Sequence, residues 1–564
     1  MTSSRKSLAP SRAYCRGGAR PAFLLLAALA LCFCGGPEGP KRIAVLRFEN
    51  LSPDPATDWI GRAISQEVAG QLEGSRHQAI IPFAVIRRFD NTLGPRPVSA
   101  PGISTEQGAA IASGANRTLG GYYVIRNDRL TITAKLWNLE TNHGGEPLVV
   151  SGGEEDLLHL CDLIAGRLDD EARPPITGSA RALRSYALAL EIPPEEAGNL
   201  LEEAVRLDPD FGPAWSALAR LDLAKHDNEA FDRIFREAQS RAGGIRAIDR
   251  AILNLEDARM HASATAQTDA LAALVKLTPA DPFRLRELAD SELNSGRFAE
   301  AADSFRKLAL LLPTDPEIFN DLGYALMYAG DDLGATSAFE KYRKARPQDA
   351  NPLDSIGDCN FFFGRFDKAE SLYVEAYAKD PTLIEGCELL KAAWASLMRN
   401  DRGKAGAQLR EYRDARQKAA DPLADYRAAE FLRVLGRHDE ADRLLTPFAN
   451  LRESAPGLAA VQQLAWWRFL ENAGPAPGKT SLLNQALAAY QKQDFQAAYP
   501  LWRKLAEGSS ANDWWVRPVY ARVLLKTGQT QESARYLRFT PLPQPTRAVS
   551  FDELWYPWIL QARS

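Results

Sequence analysis

The chain has few of the residues that build metal sites and disulfide frameworks. It holds 6 cysteines and 6 histidines among 564 residues, and the histidines show no spacing typical of metal ligands. Half of the cysteines lie in the first 34 residues, and the others are Cys161, Cys359 and Cys387. Each of these three falls within an apolar helical pattern, which predicts a buried thiol. We therefore expect no disulfide framework, no metal and no cofactor.

The chain also has no excess of basic over acidic residues. Its formal net charge is −4, and the first 34 residues contain five basic residues and no acid, so the remainder is more acidic still. An acidic chain repels phosphate backbones, which argues against nucleic acid as a partner. Hydrophobic residues make up 45% of the chain and charged residues 25%. Because these values are typical of globular proteins, extensive disorder is excluded.

A hydrophobic run long enough for a membrane span is missing near the N-terminus. The run AFLLLAALALCFC has 13 residues, whereas a bilayer needs about 20. A short apolar run after a basic, acid-free start predicts an export signal over residues 1–34. The sequence Leu29-Ala30-Leu31-Cys32 resembles a bacterial lipobox, although Leu31 is bulkier than the usual residue there. Lipidation at Cys32 or Cys34 is one interpretation, and ordinary cleavage near Cys34 is the other.

Strand and helix patterns alternate in residues 40–172. An apolar strand from Ile43 to Phe48 precedes a helix whose apolar residues are four apart. Asn127 and Asp128 separate two alternating runs, which predicts a β-hairpin with a tight turn. A further strand and an amphipathic helix complete the order βαβαβββα. This order predicts a small α/β domain.

Two motifs and the final helix of this domain resemble the TolB-type amino-terminal domain, which stands beside tetratricopeptide arrays in many bacterial signalling and envelope proteins. The motifs are IAVLRFENLSPDPATDWIG and GGYYVIRNDRLTITAKLWNLETN, and the resemblance covers residues 42–172. It departs from the family at Arg47, where proline is common. The family has no agreed catalytic residue, so the resemblance implies a fold and no reaction.

An internal repeat of thirty-four residues follows. Five sets of residues keep this step: Pro279, Pro313, Pro347 and Pro381; Gly296, Gly330 and Gly364; Ala289, Gly323 and Gly357; Ala301, Ala335 and Ala369; Phe305, Phe339 and Tyr373. The set that begins with Ala289 predicts close approach of two helices, and the set that begins with Gly296 predicts a left-handed turn between them. The alanines and aromatic residues share one face of the second helix.

This pattern resembles the tetratricopeptide repeat. Weaker copies flank the three clear ones, and in the copy with Ala405, Leu409 and Tyr412 the pattern slips by two residues. We predict about ten helical hairpins in an all-α solenoid over residues 178–548, with residues 549–564 as a C-terminal cap. A stack of such hairpins buries one continuous core and leaves a concave face.

The resemblance implies a binding groove lined by first-helix positions that avoid the packed ones. Carried onto this sequence, these positions are Arg286, Asp290, Asn320, Tyr324, Asp354 and Asp358, with Met327 and Phe361 deeper along the same helices. We expect the aspartates to be unpacked and to favour a neutral or basic extended segment of a protein or peptide. The alternative is an inner face that is merely solvated.

The C-terminal third is rich in tryptophan, which allows two interpretations. Its tryptophans include Trp466, Trp467, Trp514, Trp515, Trp555 and Trp558. One interpretation is core and capping, because the last hairpin of an array needs its apolar face covered. The other is a binding patch, because aromatic side chains anchor interfaces.

Together these features predict a non-enzymatic protein-binding scaffold of the bacterial periplasm or cell envelope, in contact with the membrane only through an N-terminal lipid. The alternative is a sensory or regulatory component, in which the TolB-type domain recognises a signal and the repeats relay it. No motif supports an enzyme.

The export prediction is tested at the native N-terminus. We expect mass spectrometry of the protein isolated from its own cells to find a mature chain that begins between Cys32 and Gly35. A diacylglyceryl cysteine would show anchoring, and a free Gly35 would show a form without the lipid. An intact Met1 would contradict export.

Overall fold

The computed structural model describes residues 41–88 and 105–563, apart from 242, 262, 452, 472–473, 475–480, 511–512 and 544–550. The predicted export signal, with Cys32 and Cys34, lies outside the described residues. Within them, no helix combines the length and apolarity that a bilayer span requires. The same residues hold no group of His, Cys, Asp and Glu placed to bind a metal ion.

The N-terminal domain is a mixed β-sheet covered by helices. Its strands are β1 (Lys41–Val45), β2 (Glu49–Asn50), β3 (Gln78–Ile80), β4 (Arg117–Arg126), β5 (Arg129–Asn138), β6 (His143–Gly144) and β7 (Leu148–Gly153). Its helices are α1 (Trp59–Leu72), α2 (Phe83–Arg87), α3 (Thr105–Ala112) and α4 (Leu157–Leu168). The strands lie in the order β3-β1-β4-β5-β6, with β2 paired to β4 and β7 paired to β5.

The sheet is parallel at one side and antiparallel at the other. β1 runs parallel to β3 and β4, whereas β4 and β5 form an antiparallel hairpin. Asn127 and Asp128 turn this hairpin with φ of 49° and 58°, a conformation that these residue types tolerate in two-residue turns. The predicted hairpin is therefore confirmed.

The remainder of the chain is an array of helical hairpins. Its helices are α5 (Ala180–Glu191), α6 (Gly198–Leu207), α7 (Gly212–Ala224), α8 (Asn228–Ser240), α9 (Ala247–His261), α10 (Ala264–Leu277), α11 (Pro282–Asn294), α12 (Phe298–Leu311), α13 (Glu317–Ala329), α14 (Asp332–Ala345), α15 (Asn351–Phe362), α16 (Phe366–Lys379), α17 (Glu388–Met398), α18 (Arg402–Lys418), α19 (Ala424–Val434), α20 (His438–Ala449), α21 (Ala455–Leu470), α22 (Leu482–Gln491), α23 (Phe495–Glu507), α24 (Val516–Lys526), α25 (Thr530–Tyr536) and α26 (Asp552–Arg563). The predicted fold class, a small α/β domain followed by an α-helical repeat array, is confirmed.

The recurring residues act as the spacing predicts. A Cβ atom at Gly323 would lie 2.5 Å from the Phe339 ring, and one at Gly357 would lie 2.7 Å from the Tyr373 ring. The first helix of each pair therefore contacts the second through a residue without a side chain. The glycines that follow the first helices take a left-handed conformation, with φ of 85° at Gly330. Glycine adopts this conformation without a steric penalty, and the conformation ends the first helix.

The slip in the downstream repeat has a local cause. Leu383–Gly386 forms a short 3₁₀ turn before α17. Inside it, Ile384 and Glu385 have left-handed backbone conformations, with φ of 42° and 56°. This irregular turn lengthens the connection between α16 and α17, so the pattern resumes two residues later.

The hydrophobic core runs through the domain and the array. One cluster of buried residues extends from the sheet through α1 and α4 into α5, α7 and α8. Another extends from α15 to the C-terminal helix α26 and contains most of the tryptophans. All eight tryptophans of the C-terminal third are buried: Trp394, Trp466, Trp467, Trp502, Trp514, Trp515, Trp555 and Trp558. The structure thus supports their interpretation as core and cap.

Candidate functional site

Polar side chains connect neighbouring first helices of the central repeats. Arg286 of α11 forms ion pairs with Asp321 of α13 and with Asp315, at 3.0 and 2.9 Å. Between α13 and α15, the hydroxyl of Ser355 donates to the side-chain oxygen of Asn320 at 2.8 Å. We call the side of the array that carries these residues the first-helix face. It includes the predicted groove positions on these helices, apart from Met327 and Phe361, which are buried in the core.

Tyr324 continues the series between α13 and α15. Its hydroxyl donates to Oδ2 of Asp358 at 2.9 Å, and its ring packs edge-on against Phe339. The hydroxyl of Tyr373, from the second helix of the next repeat, donates to Oδ1 of the same carboxylate at 2.7 Å. Asp358 therefore accepts hydrogen bonds from two tyrosines.

A buried lysine forms ion pairs with both aspartates of α15. Lys391 of α17 places its Nζ 2.7 Å from Asp354 Oδ2 and 3.0 Å from Asp358 Oδ1. The ammonium group also lies 5.3 Å from the centre of the Tyr373 ring. The exposed fraction is only 2% for the Asp354 side chain, 6% for Asp358 and 7% for Lys391. We call Lys391, Asp354 and Asp358 the buried ion cluster.

The buried ion cluster corrects one expectation from the sequence. Asp354 and Asp358 were expected to be unpacked and to bring negative charge to the groove. That expectation is wrong, because α17 approaches α15 closely enough for Lys391 to bridge both carboxylates. The two carboxylates therefore pair with Lys391 where the neighbouring repeats contact each other.

Burial shifts the protonation equilibria around this cluster. Burial raises the pKa of Asp354 to about 6, although Lys391 opposes the shift. Burial alone would lower the pKa of Lys391, but the two carboxylates raise it above its ordinary value. Glu388, one turn before Lys391, is fully buried, and burial next to Asp354 raises its pKa to about 8. At neutral pH the lysine is therefore charged and Glu388 is mainly protonated.

The C-terminal hairpins cover the ends of the central first helices. The Trp514 ring lies 5.2 Å from Tyr328 and 5.4 Å from Phe362. The Phe539 ring stacks on Phe362 at 4.9 Å, and the amide of Thr540 donates to the carbonyl of Phe362 at 2.9 Å. This part of the first-helix face is therefore occupied by the chain itself.

The N-terminal domain covers the beginning of the same face. Arg284, in the first turn of α11, forms an ion pair of 2.7 Å with Glu73, which follows α1. Arg246, just before α9, donates to the carbonyl of Gly70 at 2.9 Å. Helix α1 also contacts α5. The first helices of the early repeats therefore face the domain.

Between the two covered regions lie the accessible members of the predicted groove, which we call the open window. Asp290 is exposed, and Arg286, Asn320 and Tyr324 are partly exposed. Met327 and Phe361 are fully buried in the array. The structure thus brings all eight predicted residues onto adjacent first helices and leaves four of them within reach of solvent. Their contact with a partner remains a prediction.

Lys391 was not found by sequence reasoning, although a signal was present. It is the single basic residue of the helix ELLKAAWASLM, which is apolar apart from Lys391, Glu388 and Ser396. A lone basic residue in a mostly apolar helix implies a buried partner of opposite charge. The two-residue slip before α17 removed Lys391 from the thirty-four-residue register, so the spacing did not point to Asp354 and Asp358.

The comparisons with known proteins find similarity to solved structures of helical-repeat proteins. No protein-family model and no curated protein matches the chain. The crystal structure of MamA protein is 18% identical and covers 31% of this chain and 95% of its own, with a TM-score of 0.27. The human IFIT1 dimer with PPP-AAAA is 14% identical and covers 64% of this chain and 89% of its own, with a TM-score of 0.29. Similarity at this level says nothing about what the chain binds.

Replacing Lys391 by methionine tests the buried ion cluster. Lys391→Met leaves Asp354 and Asp358 buried without their cation, so we expect the free energy of unfolding to fall by about 3–5 kcal/mol at pH 8. The loss should be smaller at pH 5.5. Burial already raises the pKa of Asp354 in the folded chain. Without the opposing charge of the lysine this pKa rises further above its unfolded value, so the variant loses stability as the pH rises through it. Urea denaturation at the two pH values measures both effects.

The matched control is Lys404→Met. Lys404 also pairs with a buried carboxylate, that of Glu370, but its own side chain is 49% exposed. We expect this variant to lose less than about 1 kcal/mol at either pH. Equal losses in the two variants would contradict a special role of the buried ion cluster.

Proposed function

We propose that the chain is a non-enzymatic scaffold that holds an extended protein segment on its first-helix face. The observation that carries the proposal is the open window, where Arg286, Asp290, Asn320 and Tyr324 lie together on α11 and α13 between two covered regions. Tyrosine supplies contact area at a low cost in conformational entropy, and the polar groups offer hydrogen bonds to a peptide backbone. Such a surface suits recognition better than catalysis.

The charge around the open window favours a neutral or basic segment. Five carboxylates lie on or beside it: Glu287, Asp290, Asp315, Glu317 and Asp321. Arg286 pairs with Asp315 and Asp321, Arg259 with Glu287 and Arg346 with Glu317, so the carboxylates outnumber the arginines by five to three. Asp290 is exposed, with the charges of Arg286 and Glu287 nearby. An acidic rim attracts cationic side chains and repels phosphates. This balance argues for a protein or peptide partner and against nucleic acid.

We place this scaffold in the bacterial periplasm or cell envelope, on the basis of the basic, apolar segment over residues 1–34. The TolB-type resemblance of residues 42–172 supports the same location. The alternative is a sensory component in which this domain recognises a signal. The hydrophobic cluster shared by the sheet and the first hairpins favours that alternative, because a change of packing in the domain would be transmitted to the array.

Charge reversal at Asp290 tests the binding surface. We expect Asp290→Lys to weaken binding of a basic, extended peptide by roughly three- to tenfold and to reduce the salt dependence of that binding. The fold should be unchanged, because Asp290 is exposed. Peptides of matched length that are basic, neutral or acidic are titrated against the full chain and followed by fluorescence anisotropy.

The control variants are Glu340→Lys and Glu375→Lys, on the second helices α14 and α16. They change the net charge by the same amount and lie away from the first-helix face. Binding should be nearly unchanged in both. If they weaken peptide binding as much as Asp290→Lys does, or if acidic peptides bind best, the proposed surface is wrong.

A further inference from the structure

A cavity lies between the N-terminal domain and the first repeats. Its volume is about 350 Å³, within the range of roughly 300–1,000 Å³ that is common for small-molecule sites. Helices α1 and α2 form one wall, and α5, α7 and the start of α9 form the other. Small-molecule sites occur preferentially at boundaries between domains.

Most of the cavity wall is apolar. Representative side chains come from both sides of the boundary: Ile80, Phe83, Ala189, Leu190, Ala217 and Leu221. Tyr186 also lines the cavity, and burial raises the pKa of its hydroxyl to about 12. Covering the hydrocarbon part of a ligand with such a wall favours binding, because apolar surface is removed from water.

Two polar groups in the wall lack partners. The hydroxyl of Ser216 is buried and makes no hydrogen bond within the described residues, and the same holds for Nη1 of Arg284. Buried donors in native proteins are usually satisfied by protein, water or ligand. Both residues line the cavity, so a bound molecule with acceptor atoms would satisfy them.

Arg220 adds a cation beside Ser216. The two residues are four apart on α7, so their side chains project from the same face of the helix. Arg220 contacts Glu256 through Nε at 3.3 Å, and its terminal nitrogens have no partner in the part of the chain that the structure describes. Its side chain is 44% exposed, which places it at the mouth of the cavity.

The other charged residues of the wall are paired, Arg284 through Nη2 with Glu73, although its Nη1 lacks a partner in the described residues. Arg246 forms a two-pronged ion pair with Asp249, and Arg87 donates to the carbonyls of Leu190 and Ile192. Ser216 and Arg220 are therefore the donors with free capacity on α7. A hydroxyl and a guanidinium together suit a carboxylate, which accepts several hydrogen bonds.

We propose that this cavity binds a small amphiphile with a carboxylate head, which Ser216 and Arg220 hold, and a hydrocarbon body, which the apolar wall covers. The ligand would contact the domain and the array at once. The site is separate from the open window, and the inference does not depend on the proposed function.

Calorimetric titration of the full chain with decanoate, below its micellar concentration, tests the proposal. We expect one molecule to bind per chain. Decanol has the same hydrocarbon body without the charge, and we expect it to bind at least tenfold more weakly. Decyltrimethylammonium carries the opposite charge and should not bind. Equal affinity for decanoate and decanol, or binding of many molecules per chain, would overturn the proposal.

Two variants locate the ligand. Arg220→Gln should weaken decanoate binding about tenfold and leave decanol binding unchanged. The matched control is Arg206→Gln, because Arg206 also forms an exposed ion pair, with Glu203 of the same helix. Ala217→Phe should abolish binding of both ligands by filling the cavity, whereas Ala266→Phe, at an exposed position of α10, should not. Binding that survives Ala217→Phe, or that falls equally in both arginine variants, would refute the site.

Discussion

The contact between an aromatic ring and a glycine sets the spacing of the central repeats. The rings of Phe339 and Tyr373 lie where a side chain on Gly323 or Gly357 would stand. A larger residue at either glycine would push the first helix away from the second. Because each hairpin packs on the next, a shift in one would move the whole first-helix face. The polar contacts between first helices depend on this spacing, since hydrogen bonds tolerate displacements of only a few tenths of an ångström.

Other parts of the chain cover much of the first-helix face of the array. The N-terminal domain covers the first helices of the early repeats through Glu73 and α1, and the C-terminal hairpins cover the central ones through Trp514 and Phe539. The accessible remainder is the open window on α11 and α13. A partner segment therefore meets a short surface flanked by the chain itself, which limits the length that the proposed scaffold can hold.

The sequence was a good guide where structure follows local spacing and a poor one where it follows contacts between repeats. The step of thirty-four residues predicted the helix pairs, the turn at Gly330 and the close approach at Gly323, because each depends on one hairpin. The environment of Asp358 depends on Tyr324, Tyr373 and Lys391, which come from three other helices. The irregular turn at Ile384 shifted the register of Lys391, so no fixed spacing revealed this contact.

Chemical labelling of carboxylates tests the central claim, that the first-helix face is open at α11 and closed at α15. The full chain is treated with a carbodiimide and an amine, and modification of each carboxylate is followed by mass spectrometry. Asp290 is exposed, whereas Asp354 and Asp358 are buried under Lys391. The account predicts rapid modification of Asp290 and slow modification of the other two in the folded chain. Modification of Asp354 and Asp358 as fast as that of Asp290 would contradict it.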